Sequence, residues 1–160
     1  MIDILLVTTA LYMQPVDVVK HVLTSEELAM EYVTTDSFDE SVIAGIYAPD
    51  LVAAYEAVMT RQEELNEPIL EGNLITGRQE YCPLGDLVID APDMPTEGEA
   101  AIHVSFASQW CFTEAPEAIR NEVTELTFRL VEVEEGWLIV DIDHSLYGSL
   151  AAYLADLAAE

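Results

Sequence analysis

The sequence predicts an α+β fold in which N-terminal helices pack on a strongly curved antiparallel sheet, followed by a short C-terminal helix. Helical spacing of apolar residues dominates the first part of the chain, about residues 1–66. Alternation of apolar and polar residues dominates about residues 69–144, and an Ala- and Leu-rich helix is predicted at about 149–159. No linker or internal repeat interrupts the sequence, so residues 1–160 are interpreted as a single domain.

Helix signals occur at three places in the N-terminal part. Pro15 suits the first turn of a helix, and apolar residues follow it at helical spacing as far as Leu23. Thr24 and Glu27 form a capping-box pattern, which predicts that a new helix begins next to them. The clearest helix is predicted at residues 51–66, with Asp50 as its N-cap.

Strand signals begin near residue 69. Residues 74–81 and 87–90 are predicted strands, separated by a bend that contains Pro83 and Gly85. Residues 100–113 are predicted to form one long strand because apolar and polar side chains alternate throughout.

The most distinct local signal is a hairpin near the C-terminus. Residues 122–133 and 137–144 flank the turn Glu134-Glu135-Gly136, whose glycine can adopt positive φ. Alternation in the second strand predicts one apolar, core-facing set and a second set on the opposite face. The first set is Leu138, Val140 and Ile142, and the second is Ile139, Asp141 and Asp143.

Charge excludes several classes of partner. The chain has 31 acidic and 5 basic residues, a formal net charge of −26. Such a protein repels nucleic-acid phosphates and anionic membranes, so neither is an expected partner, whereas a basic protein is. The acidity itself has three interpretations: a solvated surface that favours solubility, adaptation to a high-salt host, or a decoy that presents acid to a basic partner.

The two cysteines and the N-terminus bear on location. Cys82 and Cys111 are too few for a zinc site and are interpreted as buried thiols, with a single disulfide as the alternative in an oxidising compartment. Residues 2–13 are apolar, but Asp3 interrupts them and no basic segment precedes them. We interpret them as a buried element instead of a signal peptide and expect a cytoplasmic protein.

The order of elements resembles the nuclear-transport-factor-2-like superfamily, also called the cystatin-like cone fold. The specific part of the resemblance is the hairpin at residues 127–143, in which an acidic-Gly turn is followed by Trp137 and an apolar strand that reaches Asp141. The resemblance in element order covers residues 16–144. It implies a curved sheet that encloses an apolar cavity, and functions that range from isomerases and dehydratases to binding domains. The helix at about 149–159 departs from the minimal cone.

Candidate site residues follow from this implied cavity. Tyr81, His103, Gln109 and Arg129 are the candidate ligand-binding residues, and His103 and Asp141 are the candidates for acid–base catalysis. Arg129 is otherwise expected to form a cross-strand ion pair with Asp141. His103 is otherwise expected on a solvated or dimer-facing sheet surface.

Neither a metal site nor a cofactor is predicted. Alternation turns His144 away from Asp141 and Asp143, so these three residues are not expected to ligate a metal. The sequence has no nucleophile elbow and no Gly-rich phosphate loop. Four aromatic residues are expected in the core or in the cavity wall: Tyr12, Tyr32, Tyr55 and Trp110.

Three functions remain open at this stage. The preferred hypothesis is a non-catalytic module that binds a small apolar ligand or a protein partner, because no polar constellation lies on the apolar faces. The alternatives are a small isomerase, dehydratase or cyclase that uses the cavity, and an acidic inhibitor or immunity-type protein that binds a basic partner. A homodimer formed through the sheet face is a further alternative.

Overall fold

The computed structural model describes residues 12–32, 38, 43 and 45–160, and it confirms the α+β class and the C-terminal helix. Five strands form an open antiparallel sheet in sequential order. The strands are β1 Gly85–Ile89, β2 Glu99–Ala107, β3 Val123–Val133, β4 Gly136–His144 and β5 Gly148–Ser149. The helices of the described residues are α1 Pro15–Tyr32, α2 Pro49–Leu65, α3 Glu117–Arg120 and α4 Leu150–Ala159. The element predicted at residues 2–13 lies almost wholly outside the described residues.

Helix α1 continues through the predicted second helix start. The Ser25 hydroxyl donates to the His21 carbonyl oxygen at 2.9 Å, one turn back, as serine does within a helix. The predicted cap at Thr24 is therefore wrong. The physical reason is burial, because buried positions continue past Thr24: Ser25 and Glu26 follow the core residues Val18, Val19, Val22 and Leu23.

Helix α2 begins slightly earlier than predicted and packs against α4 and β4. Pro49 occupies its first turn, and Ala48 is the N-cap without a side-chain capping bond. The predicted cap role of Asp50 is wrong, since Asp50 lies within the first turn, where its carboxylate interacts favourably with the helix dipole. The helix ends at Leu65, and the C-cap Asn66 has a left-handed φ of 54°, which this residue type tolerates.

Residues 74–81 do not form the predicted strand. The Asn73 side-chain oxygen accepts hydrogen bonds from the backbone N–H groups of Ile75 (2.8 Å) and Thr76 (2.9 Å). The Gly77 N–H closes the turn by donating to the Asn73 carbonyl at 2.8 Å. These local bonds replace a strand ladder, while Leu74 and Ile75 still reach the core.

A disulfide joins the segments that flank β1 and β2. Cys82 and Cys111 are bonded across 29 residues, so the interpretation as free thiols is wrong and the disulfide alternative is confirmed. Strand β2 ends at Ala107 and does not extend to residue 113, because the chain turns after Ser108 to bring Cys111 back to Cys82.

The β3–β4 hairpin is confirmed, but its second strand contains a β-bulge. Arg129 is paired with Asp141, whereas the next residue, Leu130, is paired with Ile139. Val140 is therefore an extra residue on β4. Odd-numbered residues face the core before the bulge, and even-numbered residues face the core after it.

The bulge overturns part of the predicted core. Ile142 is fully buried as predicted, but Leu138 and Val140 are only partly buried. Ile139, predicted on the opposite face, is fully buried. The core-facing residues of β4 are Trp137, Ile139, Ile142 and His144.

The sheet has one covered face and one open face. Helices α1, α2 and α4 contact the sheet, and the core lies between them and its inner face. On the outer face, side chains such as His103, Glu125 and Arg129 remain 42%, 60% and 56% exposed. The outer face is thus the large surface of the sheet that the described helices leave accessible.

Candidate functional site

A small polar pocket lies in the interior, between α1 and the turn at Asn73. The Glu26 residue is only 1% exposed, and the Asn73 amide donates to its Oε2 at 2.6 Å. The same amide nitrogen lies 3.3 Å from the Tyr81 hydroxyl. The cavity beside them measures about 40 Å³ and is lined further by Phe38, Tyr55 and other residues. A space of that size holds roughly one to three water molecules.

His144 is buried near this turn and has a structural role. Its Nδ1 accepts from the Leu146 N–H at 3.0 Å, so Nε2 carries the proton and donates to the Ile75 carbonyl at 2.9 Å. Burial lowers the pKa of the imidazole below its usual value of 6.5, and the effect of the Arg78 charge is in the same direction. Both ring nitrogens are therefore used to hold the turn at Ile75.

Tyr147 fixes the neighbouring carbonyl. Its hydroxyl donates to the Leu74 carbonyl, and its ring stacks between His144 and Tyr153, with centroid distances of 4.3 and 4.6 Å. Burial, first, and the nearby Tyr153 and Asp141 raise the pKa of this phenol far above its usual range. Tyr147 is therefore a neutral hydrogen-bond donor at physiological pH.

His103 lies on the outer face of β2 and is flanked by two carboxylates. Its Nδ1 is 3.2 Å from Asp90 Oδ2, and its Nε2 is 3.5 Å from Glu125 Oε1. The Asp90 and Glu125 side chains remain 55% and 60% exposed. We name Asp90, His103 and Glu125 the outer acidic cluster.

Arg129 forms an ion pair on the same face, but with a different aspartate from the predicted one. Its Nη2 is 2.5 Å from Asp143 Oδ2, and its Nε donates to the same oxygen at 2.7 Å. Asp141 is occupied elsewhere: it accepts from the Ser149 hydroxyl at 2.6 Å and from the Ala151 N–H at 3.0 Å. The Asp141 carboxylate thus holds the first turn of α4.

The predicted ligand-binding residues do not meet in one site. His103 and Arg129 share the outer face of the sheet. Tyr81 contacts Asn73 beside the interior pocket, and the Gln109 amide donates to the Glu80 carbonyl at 3.1 Å, at the turn after β2. A single cavity lined by all four residues is therefore not formed.

A groove opens beside Trp110, at the end of the outer face. It measures about 280 Å³, and we name it the Trp110 groove. Tyr12 and Trp110 were expected in the core or in the wall of an interior cavity, but they are 42% and 48% exposed, so that expectation is wrong for both. The groove is lined by Asp86, Ser105, Phe106, Ala107, Trp110, Arg120, Asn121 and Val123.

Sequence reasoning missed the residues that define both sites. Glu26 was hidden within the capping-box pattern, and Trp110 belongs to the alternating run at residues 100–113, which predicts burial. One signal bore on Trp110: it directly precedes Cys111, and a disulfide at that position ends the strand and turns the indole outward.

No protein-family model matches this chain, and no curated protein matches it significantly. Among the described residues, no group of three His, Cys, Asp or Glu side chains is arranged to hold a metal ion. In the same part of the chain, no helix has the length and apolar character needed to cross a membrane.

Proposed function

We propose that this protein is a non-catalytic binding module that recognises a basic protein partner through the outer face of its sheet. The single observation that carries the proposal is the outer acidic cluster, in which Asp90 and Glu125 stay more than half exposed on the sheet face that the described helices leave accessible. The interior, by contrast, is packed with apolar side chains, and the pocket beside Glu26 is too small for an organic ligand.

Charge supports a basic partner over a second copy of the chain. Each arginine already contacts a carboxylate or a carbonyl oxygen: Arg61 with Glu64, Arg78 with Glu122, Arg120 with the Ala115 carbonyl, and Arg129 with Asp143. Five basic residues cannot neutralise 31 acidic ones, so the excess negative charge attracts cations and repels another molecule of net charge −26.

A binding experiment tests the proposal with a defined probe. The probe is a short peptide of alternating lysine and valine, with a glutamate–valine peptide as the negative control, and affinity is measured by titration calorimetry. The double variant Asp90→Asn, Glu125→Gln removes two outer charges. The matched control Glu56→Gln, Glu63→Gln removes two exposed charges from α2.

We call the double variant Asp90→Asn, Glu125→Gln the outer-face variant. It loses two partly exposed ion pairs with the peptide, each of which contributes about 0.5–1 kcal/mol, so it should bind roughly tenfold more weakly. The α2 variant should bind almost as tightly as the wild type. Equal weakening in both variants would mean that only bulk charge matters, and it would refute a site on the outer face.

A second candidate function, an isomerase, dehydratase or cyclase, is favoured by one observation. The Asn73 amide holds the buried Glu26 carboxylate, with Tyr81 nearby, as a positioned base would be held. This candidate requires the space of about 40 Å³ beside Glu26 to open before a ketone can enter. Deuterium incorporation into cyclohexanone from heavy water, followed by NMR, tests this candidate. Exchange that requires the wild-type protein and is lost in Glu26→Gln would favour the enzyme, whereas equal background exchange would favour the binding module.

Two further expectations remain our proposals. Membership of the cone superfamily is supported by the order of helices and strands and by the β3–β4 hairpin. We also propose an oxidising compartment in place of the expected cytoplasm. The reason is the Cys82–Cys111 disulfide, because the cytoplasm keeps most protein thiols reduced.

A further inference from the structure

We infer that the Trp110 groove is a subsite that receives one apolar side chain of the basic partner, an inference that rests on the proposed function. The groove adjoins the outer acidic cluster through Ser105, which lines the groove and is paired with Glu125 in the sheet. An extended peptide can therefore place a basic residue on the cluster and an apolar residue in the groove.

The exposed indole of Trp110 is held in one position. Its Nε1 donates to the Pro83 carbonyl at 2.8 Å, and the next residue, Cys111, is bonded to Cys82. The ring also lies against Gly85, where the first side-chain carbon of any other residue would come within 2.8 Å of it. A rigid, exposed tryptophan loses little freedom on binding, which is typical of residues that dominate the energy of an interface.

One part of the groove wall around Trp110 is apolar. Phe106 and Ala107 form part of the groove wall, and Val123 is 55% exposed at its edge. Val88, which is 51% exposed, is paired with Ser105 on the same face. Exposed apolar residues clustered in this way mark interaction surfaces. At about 280 Å³ the groove is smaller than most small-molecule pockets, so it suits a side chain better than a whole organic ligand.

The polar residues of the groove match a peptide with basic flanks. Arg120 and Asn121 supply N–H donors for the backbone carbonyl groups of an extended segment. The exposed carboxylate of Asp86, together with Glu125, complements lysine or arginine residues next to the apolar anchor. A basic protein segment is therefore the occupant that the walls and the charges of the groove both favour.

Two peptides distinguish the contribution of the groove to affinity from the contribution of charge. The lysine–valine peptide carries apolar anchors, and a lysine–serine peptide of equal length and charge does not. We expect the wild type to prefer the lysine–valine peptide about tenfold, as burial of one valine side chain predicts. Trp110→Ala should abolish this preference, and Met94→Ala, a change of another half-exposed apolar residue, should retain it.

The variant Val123→Ser keeps the test valid if Trp110→Ala fails to fold, because Val123 lines the groove and is 55% exposed, so its change leaves the core intact. Val123→Ser should reduce the preference several-fold. A preference that survives in every groove variant that folds would overturn the inference. If the outer-face variant still weakens binding in that case, the proposed function stands; if it does not, both fail.

Discussion

The imidazole of His144 connects the end of β4 to the turn that follows Asn73. Because the Leu146 N–H occupies Nδ1, only the tautomer protonated at Nε2 can donate to the Ile75 carbonyl. A second proton would remain buried without an acceptor at Nδ1. The position therefore requires a neutral imidazole, in agreement with its lowered pKa.

This lowered pKa makes stability depend on pH. The unfolded chain binds a proton at about pH 6.5, while the folded protein resists protonation until a lower pH. Stability from His144 is therefore present above pH 6.5 and is lost as the pH falls below it. We predict that the wild type loses more unfolding free energy across this range than His144→Gln, which keeps an N–H donor but does not titrate. Urea denaturation above and below pH 6.5 measures the unfolding free energy of both proteins. If the stability difference between them is the same at both pH values, the prediction is contradicted.

The hydroxyl of Tyr147 makes a second bond to the same turn, at the Leu74 carbonyl. Tyr147→Phe should lower the free energy of unfolding by about 1–2 kcal/mol, because a buried carbonyl loses its donor. The control is Tyr153→Phe, which removes the hydroxyl of a neighbouring ring in the same stack and should lower the free energy of unfolding by less. Chemical denaturation of the three proteins gives the comparison; equal losses would argue against a special role for the Tyr147 hydroxyl.

At the scale of elements, helix α4 depends on a carboxylate from β4. Ser149 caps the helix through the Ala152 N–H, and Asp141 binds both the Ser149 hydroxyl and the Ala151 N–H. These bonds satisfy N–H groups that the first turn leaves free, and the negative charge favours the N-terminal end of the helix dipole.

Loss of this carboxylate should be costly for α4. We predict that Asp141→Ala destabilises the protein by about 1–2 kcal/mol, as loss of an N-terminal cap does. Asp143→Ala removes a neighbouring exposed ion pair with Arg129 and should cost about 0–1 kcal/mol. Thermal unfolding of both variants tests the order, and a larger loss for Asp143→Ala would contradict it.

The elements also show how far the sequence predicts the structure. The β3–β4 hairpin was predictable because a glycine turn separates two alternating segments. The bulge was not, because Leu138, Ile139 and Val140 are all apolar, so alternation alone does not decide which of them faces the core. The turn at residues 73–77 was missed because the side-chain bonds of Asn73 outweigh the strand preference of its neighbours.

The candidate site was less predictable than the fold. The outer position of His103 follows from alternation, and its charged neighbours follow only from strand register, which places Glu125 beside Ser105. The groove depends on a disulfide between residues 29 apart, and two cysteines in a sequence do not establish that they are bonded.

At the scale of the whole molecule, the disulfide and the charge act in opposite directions. The disulfide restricts the unfolded chain, whereas a net charge of −26 disfavours the compact state through self-repulsion. We predict that Cys82→Ser, Cys111→Ser lowers the free energy of unfolding by about 2–4 kcal/mol. Denaturation of the variant and of the oxidised wild type measures this loss, and unchanged stability would show that the crosslink is dispensable.

Added salt should partly offset the charge. Screening of the excess carboxylates should raise the stability of the wild type and of the cysteine variant by similar amounts, because it acts on the same charges in both. The proposed complex should respond in the opposite way, since salt screens the attraction between the acidic face and the basic peptide.

The central claim is that the outer face of the sheet binds the partner and the interior pocket does not. Amide ¹H–¹⁵N spectra recorded during titration with the lysine–valine peptide test it most directly. We predict that signals of Ser105, Val123 and Glu125 and of the Trp110 indole N–H shift with peptide concentration. Shifts confined to Glu26, Asn73 and Tyr81, with the outer-face signals unchanged, would contradict the claim.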